Sequence, residues 1–162
     1  METNQVHLVE EKGYCIDASS LFRLEPYHQD IFTGLWTDIE TLINDHRLIS
    51  PKAVLDEFDD KYPDSKACKK WFKAHNKIFI DNQDIWTKAK LIMSRHPKLT
   101  NPNHPQSKGD YFVIALAQYM NGWTVVTEEH TPRKTTIKKV CSEMGIPCID
   151  LYTFFKKCKW KY

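Results

Sequence analysis

Five short apolar runs, separated by longer segments of helical period, constrain the fold of this chain more than any other feature. Runs of this length that end at polar or turn residues are typical of buried strands. They are GYCID (13–17), LIS (48–50), KIFID (77–81), WTVVT (123–127) and IPCID (146–150). Because strands alternate with amphipathic helices, the pattern predicts an α/β fold, a three-layer α/β/α sandwich with a central, mainly parallel sheet.

The length and composition of the chain fit one domain. A chain of 162 residues with 41% hydrophobic content can bury one substantial core. The proline-rich segment 97–107 has no periodicity and predicts a long loop inside that domain. We therefore predict a single domain over residues 1–162 that ends in a short basic tail (156–162).

Membrane and secretory signals are not found in the sequence. No stretch approaches the roughly 20 apolar residues of a membrane span. The start METNQVHLVEEKGY lacks the basic-then-apolar pattern of a secretory signal. We therefore expect a cytoplasmic protein that has no membrane partner.

The cysteines and the net charge narrow the functional classes. Five cysteines at scattered spacings include no Cys-x-x-Cys pair, which argues against a zinc site and favours reduced thiols. The formal net charge of +2 does not by itself indicate a nucleic-acid binder, because phosphate recognition normally takes a basic patch. The distribution of charge is therefore more informative than its total.

Several acids follow predicted strands or open predicted helices. Ligands of open parallel sheets bind beyond the carboxyl ends of the strands, where Asp17 and the pair Glu128 and Glu129 stand. Asp110 opens a largely apolar helix and lies on its inward-facing stripe. Such acids also commonly cap the next helix. Position alone therefore does not decide whether these acids bind a ligand or cap a helix.

The segment SPKAVLDEFDD predicts a helix with Ser50 as its N-cap and a proline at its first position. Its buried stripe leaves Glu57 and Asp59 at the two borders, and helical geometry alone does not choose between these acids. A solvated surface position is the alternative for either of them.

These residues together resemble the PIN-domain family, whose best-known bacterial members are the VapC ribonuclease toxins. CIDASSL resembles the family's opening strand with its Asp-x-Ser/Asn signature, and LISPKAVLDEF resembles the second motif. KGDYFVIALAQYMNGWTVVTEE resembles the third and fourth motifs, an acid opening an apolar helix and a strand ending in Thr-x-acid. The resemblance runs from about residue 13 to residue 151. It departs from the family pattern at the fourth acid, which is Glu129 rather than Asp.

The resemblance implies a metal-dependent endoribonuclease that hydrolyses phosphodiester bonds of single-stranded or structured RNA. Catalytic residues and ligands of Mg²⁺ or Mn²⁺ would be Asp17, Glu57, Asp110 and Glu129. Supporting positions would be Ser19, a hydrogen-bonding neighbour of Asp17, with Thr127 and Glu128. Hard cations prefer oxygen ligands, which this set supplies.

The two adjacent glutamates differ in the face of the strand on which they lie. If WTVVTEE stays extended, Thr127 and Glu129 share one face and Glu128 lies on the other. The family's Thr-x-acid spacing selects Glu129 as the fourth acid. Glu128 is then predicted to face solvent or to cap a helix.

Partners follow from the same resemblance and from the lysines. The resemblance implies RNA as the substrate. It is also compatible with a role as the toxin of a toxin–antitoxin pair. Possible protein partners are then an antitoxin or inhibitor protein and a second copy of this chain in a homodimer. Lysines at helical spacing on one stretch predict RNA contacts. This stretch contains Lys66, Lys69, Lys70, Lys73 and Lys77, and the predicted RNA contacts are its first four lysines together with Lys108, which lies outside it. The tail KKCKWKY interleaves lysines with Trp160 and Tyr162, as single-strand binders do, although a solvated lysine face and a frayed terminus explain the same residues.

Three other functions compete with the nuclease hypothesis. A catalytically inactive PIN-like module that binds nucleic acid or protein is compatible with the unusual fourth acid, but retention of Asp17, Glu57 and Asp110 argues against it. A nucleotide-binding doubly wound domain would carry a Gly-rich loop after its first strand, which this chain lacks. A HAD-like phosphatase would have Asp-x-Asp there, where this chain has Asp-Ala-Ser.

Overall fold

The computed structural model describes residues 12–99, 109–128 and 136–162, and its framework is a sheet of five parallel strands. The strands pair in the order β3-β2-β1-β4-β5. Their bounds are β1 Tyr14–Ile16, β2 Leu48–Pro51, β3 Phe79–Ile80, β4 Thr124–Val126 and β5 Cys148–Ile149. All five predicted runs contain a strand, and the predicted α/β/α class is confirmed.

Eight α-helices in the described ranges cover the two faces of the sheet. They are α1 Ala18–Phe22, α2 Thr33–Asn44, α3 Lys52–Lys61, α4 Ala67–Ala74, α5 Gln83–Arg95, α6 Gly109–Tyr119, α7 Ile137–Met144 and α8 Leu151–Lys157. Helix α3 begins one residue later than predicted, because Pro51 is still extended and is itself the N-cap. Ser50 does not cap the helix; its hydroxyl donates to the Ile16 carbonyl at 2.6 Å. None of the helices described is long and apolar enough to span a membrane.

Side-chain alternation along the strands divides the core into two layers. Successive residues of a strand point to opposite faces, so neighbours in sequence enter different layers. One layer packs against α5, α6 and α7, and the other packs against α1 to α4 and α8. The first contains Cys15, Ile49 and Val125, and the second contains Ile16, Leu48 and Val126.

The register of the central strands determines which residues meet at the carboxyl edge of the sheet. Ile16 of β1 pairs with Val126 of β4, so the next residues, Asp17 and Thr127, are neighbours. The Asp17 N–H donates to the Val126 carbonyl at 3.1 Å, which extends this pairing. On the other side of β1, β2 leads directly into α3 and brings Glu57 toward the same edge.

Candidate active site

Asp17 lies at the carboxyl end of β1, where its side chain is only 5% exposed. Its Oδ1 accepts hydrogen bonds from the Ser19 hydroxyl at 2.8 Å and from the Ser20 N–H at 2.9 Å. The Thr127 hydroxyl donates to Oδ2 at 2.5 Å. The predicted contact with Ser19 is therefore present, and donors from α1 and the end of β4 fix both carboxylate oxygens.

The environment of Asp17 opposes its negative charge. Burial raises the pKa of this carboxyl above its ordinary value, and the hydrogen bonds from Thr127, Ser20 and Ser19 offset part of the increase. Asp17 is also the N-cap of α1, the structural role that the sequence left open. The hydrogen bonds of the cap favour the ionised carboxylate in part, and a nearby cation would favour it further.

Glu57 is the second buried acid, 7% exposed on α3. Burial raises its pKa to about 7; Lys61 lowers the pKa, and the negative charge of Asp17 raises it further. The Lys61 ammonium is 3.8 Å from Oε1, too far for a hydrogen bond. Oε1 is buried and has no hydrogen-bond partner among the described residues.

The structure also distinguishes Glu57 from Asp59, the other border acid of α3. Asp59 is exposed and forms ion pairs with Lys73 at 3.0 Å and with Lys69 at 3.4 Å. These lysines lower the pKa of Asp59. Asp59 is therefore a surface acid with its own counter-ions, whereas Glu57 is the buried acid whose pKa is raised by burial and by the charge of Asp17.

Gly109, the first residue of α6, packs against the Glu57 carboxylate. A Cβ at this position would lie 2.9 Å from both Cδ and Oε1 of Glu57. Real Cβ atoms essentially never approach so closely, so only glycine lets α6 begin here with Glu57 in this position. Gly109 was not among the predicted site residues, because the contact that gives it a role comes from α3 and not from its own segment.

Asp110 is half-buried in the first turn of α6, next to Gly109. Helix α6 thus brings this acid to the neighbourhood of Glu57. Within the described ranges, no group of three or more His, Cys, Asp or Glu side chains is arranged so that it could hold a metal ion. Glu129, the predicted fourth ligand, lies outside those ranges.

The described acids nevertheless fit a hard divalent cation in two respects. Asp17 and Glu57 offer carboxylate oxygens, the donor type that Mg²⁺ and Mn²⁺ prefer. Burial raises the pKa of Glu57 more than the Lys61 charge and the Gly109 N–H lower it, and Oε1 has no hydrogen bond of acceptable geometry within the described ranges, so a bound cation would stabilise the charged form.

Glu128 supports the site from the end of β4. Its side-chain Oε1 accepts a hydrogen bond from the Leu151 N–H at 2.5 Å, at the start of α8. Its own N–H donates to the Ser19 hydroxyl at 3.1 Å, and Ser19 in turn holds Asp17. Of the two predicted positions of Glu128, facing solvent or capping a helix, the bond to Leu151 agrees with the second, although the N-cap residue of α8 itself is Asp150.

The predicted RNA-binding lysines have different environments. Lys66, the N-cap residue of α4, is half-buried, and Lys70 within α4 is exposed. The ammonium of Lys73 forms an ion pair with Asp59. Lys69 is only 2% exposed, and its ammonium donates to the Tyr62 carbonyl at 2.9 Å and to Asp64 at 2.7 Å. Because its ammonium is buried in these bonds beside α4, Lys69 is not available to contact RNA, and its prediction as an RNA contact was wrong. Lys108 lies outside the described residues.

Comparison with known proteins identifies a family but no activity. Residues 14–162 match the model of one protein family, described as a domain of unknown function (DUF4411). A search of curated proteins finds no match. The matched range contains both buried acids, Gly109 and the residues that hold Asp17, so the site lies within the family domain.

Proposed function

We propose that this chain, which belongs to the family described as a domain of unknown function (DUF4411), is a metal-dependent endoribonuclease acting on RNA in the cytoplasm. The observation that carries the proposal is the pairing of Asp17 and Glu57, two buried carboxylates from different elements that meet at the carboxyl edge of a parallel sheet. The resemblance to PIN domains supplies the reaction class, hydrolysis of an RNA phosphodiester bond.

Each residue of the site has a separate task in this proposal. Ser19 and Thr127 hold the Asp17 carboxylate in one orientation, and Gly109 leaves room for Glu57 beside it. Asp17 and Glu57 would ligate Mg²⁺ or Mn²⁺, with Asp110 and Glu129 completing the set. The bound ion would stabilise charge on the attacking and leaving oxygens and activate water.

The ionisation of Glu57 gives a test of the metal site that needs no substrate. Burial raises its pKa to about 7 in the native protein, from the ordinary glutamate value of 4.5 that we take for the unfolded chain. Because the native pKa is raised, the stability contributed by the protonated group is fully present below about pH 4.5 and is lost as the pH rises to about 7. In EDTA, the melting temperature of wild type should therefore fall through this window relative to Glu57→Gln, by on the order of 6–12 °C.

Mn²⁺ at pH 7.5 should restore most of that loss, because an ion that binds only the native state stabilises it by mass action. Glu57→Gln should respond weakly to Mn²⁺. Asp56→Asn, which changes an exposed acid of the same helix, serves as the matched control and should behave like wild type. Equal Mn²⁺ shifts in wild type and Glu57→Gln would place the ion elsewhere.

The two adjacent glutamates are expected to differ in their effect on cleavage. Glu129→Gln should reduce RNA cleavage about tenfold or more, equivalent to roughly 1.4 kcal/mol of barrier. Glu128→Gln should stay within a few fold, because Glu128 is occupied with the Leu151 N–H and glutamine retains an acceptor. Initial cleavage rates at saturating Mn²⁺ would measure both effects. The reverse order would identify Glu128 as the metal ligand.

A further inference from the structure

A groove rich in aromatic residues lies between the beginning of α2 and the end of α8. Its cavity measures about 560 Å³. We call it the aromatic groove and define it by Tyr27, Phe32, Tyr152, Phe155 and Trp160. Three lysines, Lys156, Lys159 and Lys161, also line it, and all three are exposed. A groove with this lining offers flat apolar surfaces and positive charge side by side.

The C-terminal tail folds back to form one wall of the aromatic groove. Lys159 has a φ of 59°, and its N–H donates to the Lys156 carbonyl, while the Trp160 N–H donates to the Phe155 carbonyl. These two bonds form a Schellman motif, in which the left-handed position is usually glycine. The turn packs Trp160 against Phe154 and Phe155, with ring centroids 5.3 and 5.7 Å away.

The same contacts exclude a frayed terminus. The Tyr162 hydroxyl forms a hydrogen bond with Asp38 of α2, which ties the last residue of the chain to the neighbouring helix. The backbone of the tail and its aromatic residues Trp160 and Tyr162 are therefore held by contacts with α8 and α2. Ordered positions of this kind suit a binding surface.

The exposed chemistry of the aromatic groove matches single-stranded nucleic acid. Tyr152 is 67% exposed, and the Lys156 ammonium lies 4.7 Å from the centre of its ring. Nucleic-acid bases stack on such rings, and lysines beside them bind the phosphates between the bases. An exposed ring and a positive charge therefore lie side by side in the groove.

The aromatic groove continues toward the proposed active site. A smaller cavity of about 160 Å³ shares Tyr27, Tyr152 and Phe155 with it and is also lined by Arg23 and Glu128. The Glu128 N–H donates to Ser19, which holds Asp17. A strand that passes through both cavities would therefore reach the edge of the sheet where Asp17 lies.

We propose that the aromatic groove binds single-stranded RNA next to the phosphate that is cleaved, an inference that rests on the proposed ribonuclease function. Bases stack on Tyr152 and Trp160, and Lys156, Lys159 and Lys161 contact the phosphates. Arg23 lies on the path between this groove and Asp17. The groove thus selects unpaired RNA, since the bases of a duplex are not free to stack on protein rings.

Binding measured in EDTA tests this inference apart from catalysis. The probe is a short fluorescent oligouridylate followed by anisotropy, with inorganic polyphosphate as a competitor that has charge but no bases. Tyr152→Ala should weaken binding roughly fivefold or more, the effect of losing one stacking partner. Tyr119→Ala, which removes an exposed tyrosine at the end of α6, should bind like wild type.

Lys159→Gly separates binding from folding. Glycine adopts the left-handed conformation without strain, so this variant should melt roughly 2–4 °C higher than wild type while binding the oligouridylate more weakly. Lys138→Ala, at an exposed lysine of α7, is the control for loss of one positive charge and should bind as wild type does. A gain in stability with a loss of affinity cannot come from misfolding.

Several outcomes would overturn the inference, and they differ from failure of the proposed function. If Tyr152→Ala and Lys159→Gly bind the oligouridylate as tightly as wild type does, RNA does not bind in the groove, even if wild type cleaves RNA. Polyphosphate that competes as well as the oligouridylate shows charge binding without stacking, which also contradicts it. A dimer that Tyr152→Ala dissociates would make the groove an interface between copies. Groove-dependent RNA binding without cleavage would support the groove as a site for single-stranded RNA, but it would refute the ribonuclease proposal and, with it, the position of the groove beside a cleaved phosphate.

Discussion

Replacement of Asp17 by Asn is expected to reduce RNA cleavage about a hundredfold or more, equivalent to roughly 2.7 kcal/mol of barrier. The substitution removes the negative charge that would hold Mg²⁺ or Mn²⁺ and changes almost nothing in shape. The remaining carbonyl oxygen can still accept from the Ser20 N–H, so the cap of α1 is retained. The loss of activity should therefore appear in a folded protein.

Initial rates of cleavage of a fluorogenic single-stranded RNA with Mn²⁺ would measure the effect. Wild type with excess EDTA should be equally inactive, and Asp56→Asn should cleave at the wild-type rate because Asp56 is exposed on α3. The melting temperature of Asp17→Asn in EDTA should equal or exceed that of wild type, since a buried charge is gone. Asp17→Asn preparations that cleave at full rate would show that the activity comes from another site or another protein.

The sheet was predictable because local sequence specifies it. Each strand is a short apolar run, and buried parallel strands need little else, so all five were found. The predicted start of α3 was wrong by one residue because a non-local contact decides it. Pro51 pairs with Ile80 of β3 and stays extended, and this keeps Ser50 inside the strand, where its hydroxyl bonds the Ile16 carbonyl.

Of the two hydroxyl contacts of Asp17, only the nearer one was predicted. Ser19 is two residues away and Thr127 is 110 residues away, yet both are hydrogen-bonded to Asp17. The family resemblance gave Ser19 as a hydrogen-bonding neighbour and Thr127 only as a supporting position, because spacing along one helix or strand cannot predict a contact between distant segments. Helical geometry did not choose between Glu57 and Asp59, and only the family resemblance selected Glu57. The structure gives the physical difference, because it places Lys69 and Lys73 beside Asp59.

The burial of Lys69 and the role of Gly109 had no signal in the helical pattern. Lys69 looked like one of a series of surface lysines, but the carbonyl of Tyr62 and the carboxylate of Asp64 surround its ammonium. Gly109 matters because of a side chain from α3 that no property of its own segment reveals. Both effects come from the packing of distant segments, which the periodicity of one segment does not encode.

Replacement of Gly109 by Ala is expected to reduce cleavage roughly a hundredfold while leaving the fold stable, because a misplacement of about 1 Å at a reacting centre can cost that much. The new Cβ would lie 2.9 Å from Cδ and Oε1 of Glu57, the far end of a flexible side chain. Glu57 can move away at little cost to the fold. Its carboxylate would then leave the position beside Asp17, and the Mn²⁺-dependent rise in melting temperature should shrink with the activity.

A double-mutant cycle with Glu57→Asp tests whether the clash is the cause. Aspartate is one methylene shorter, so its carboxylate retreats from residue 109 and leaves room for the alanine Cβ. Glu57→Asp alone should lose activity, but adding Gly109→Ala to it should cost only a few fold more, far less than in wild type. Melting temperatures in EDTA should stay within a few degrees across the four proteins. If the two losses multiply instead, Gly109 acts on the site by a route other than contact with Glu57.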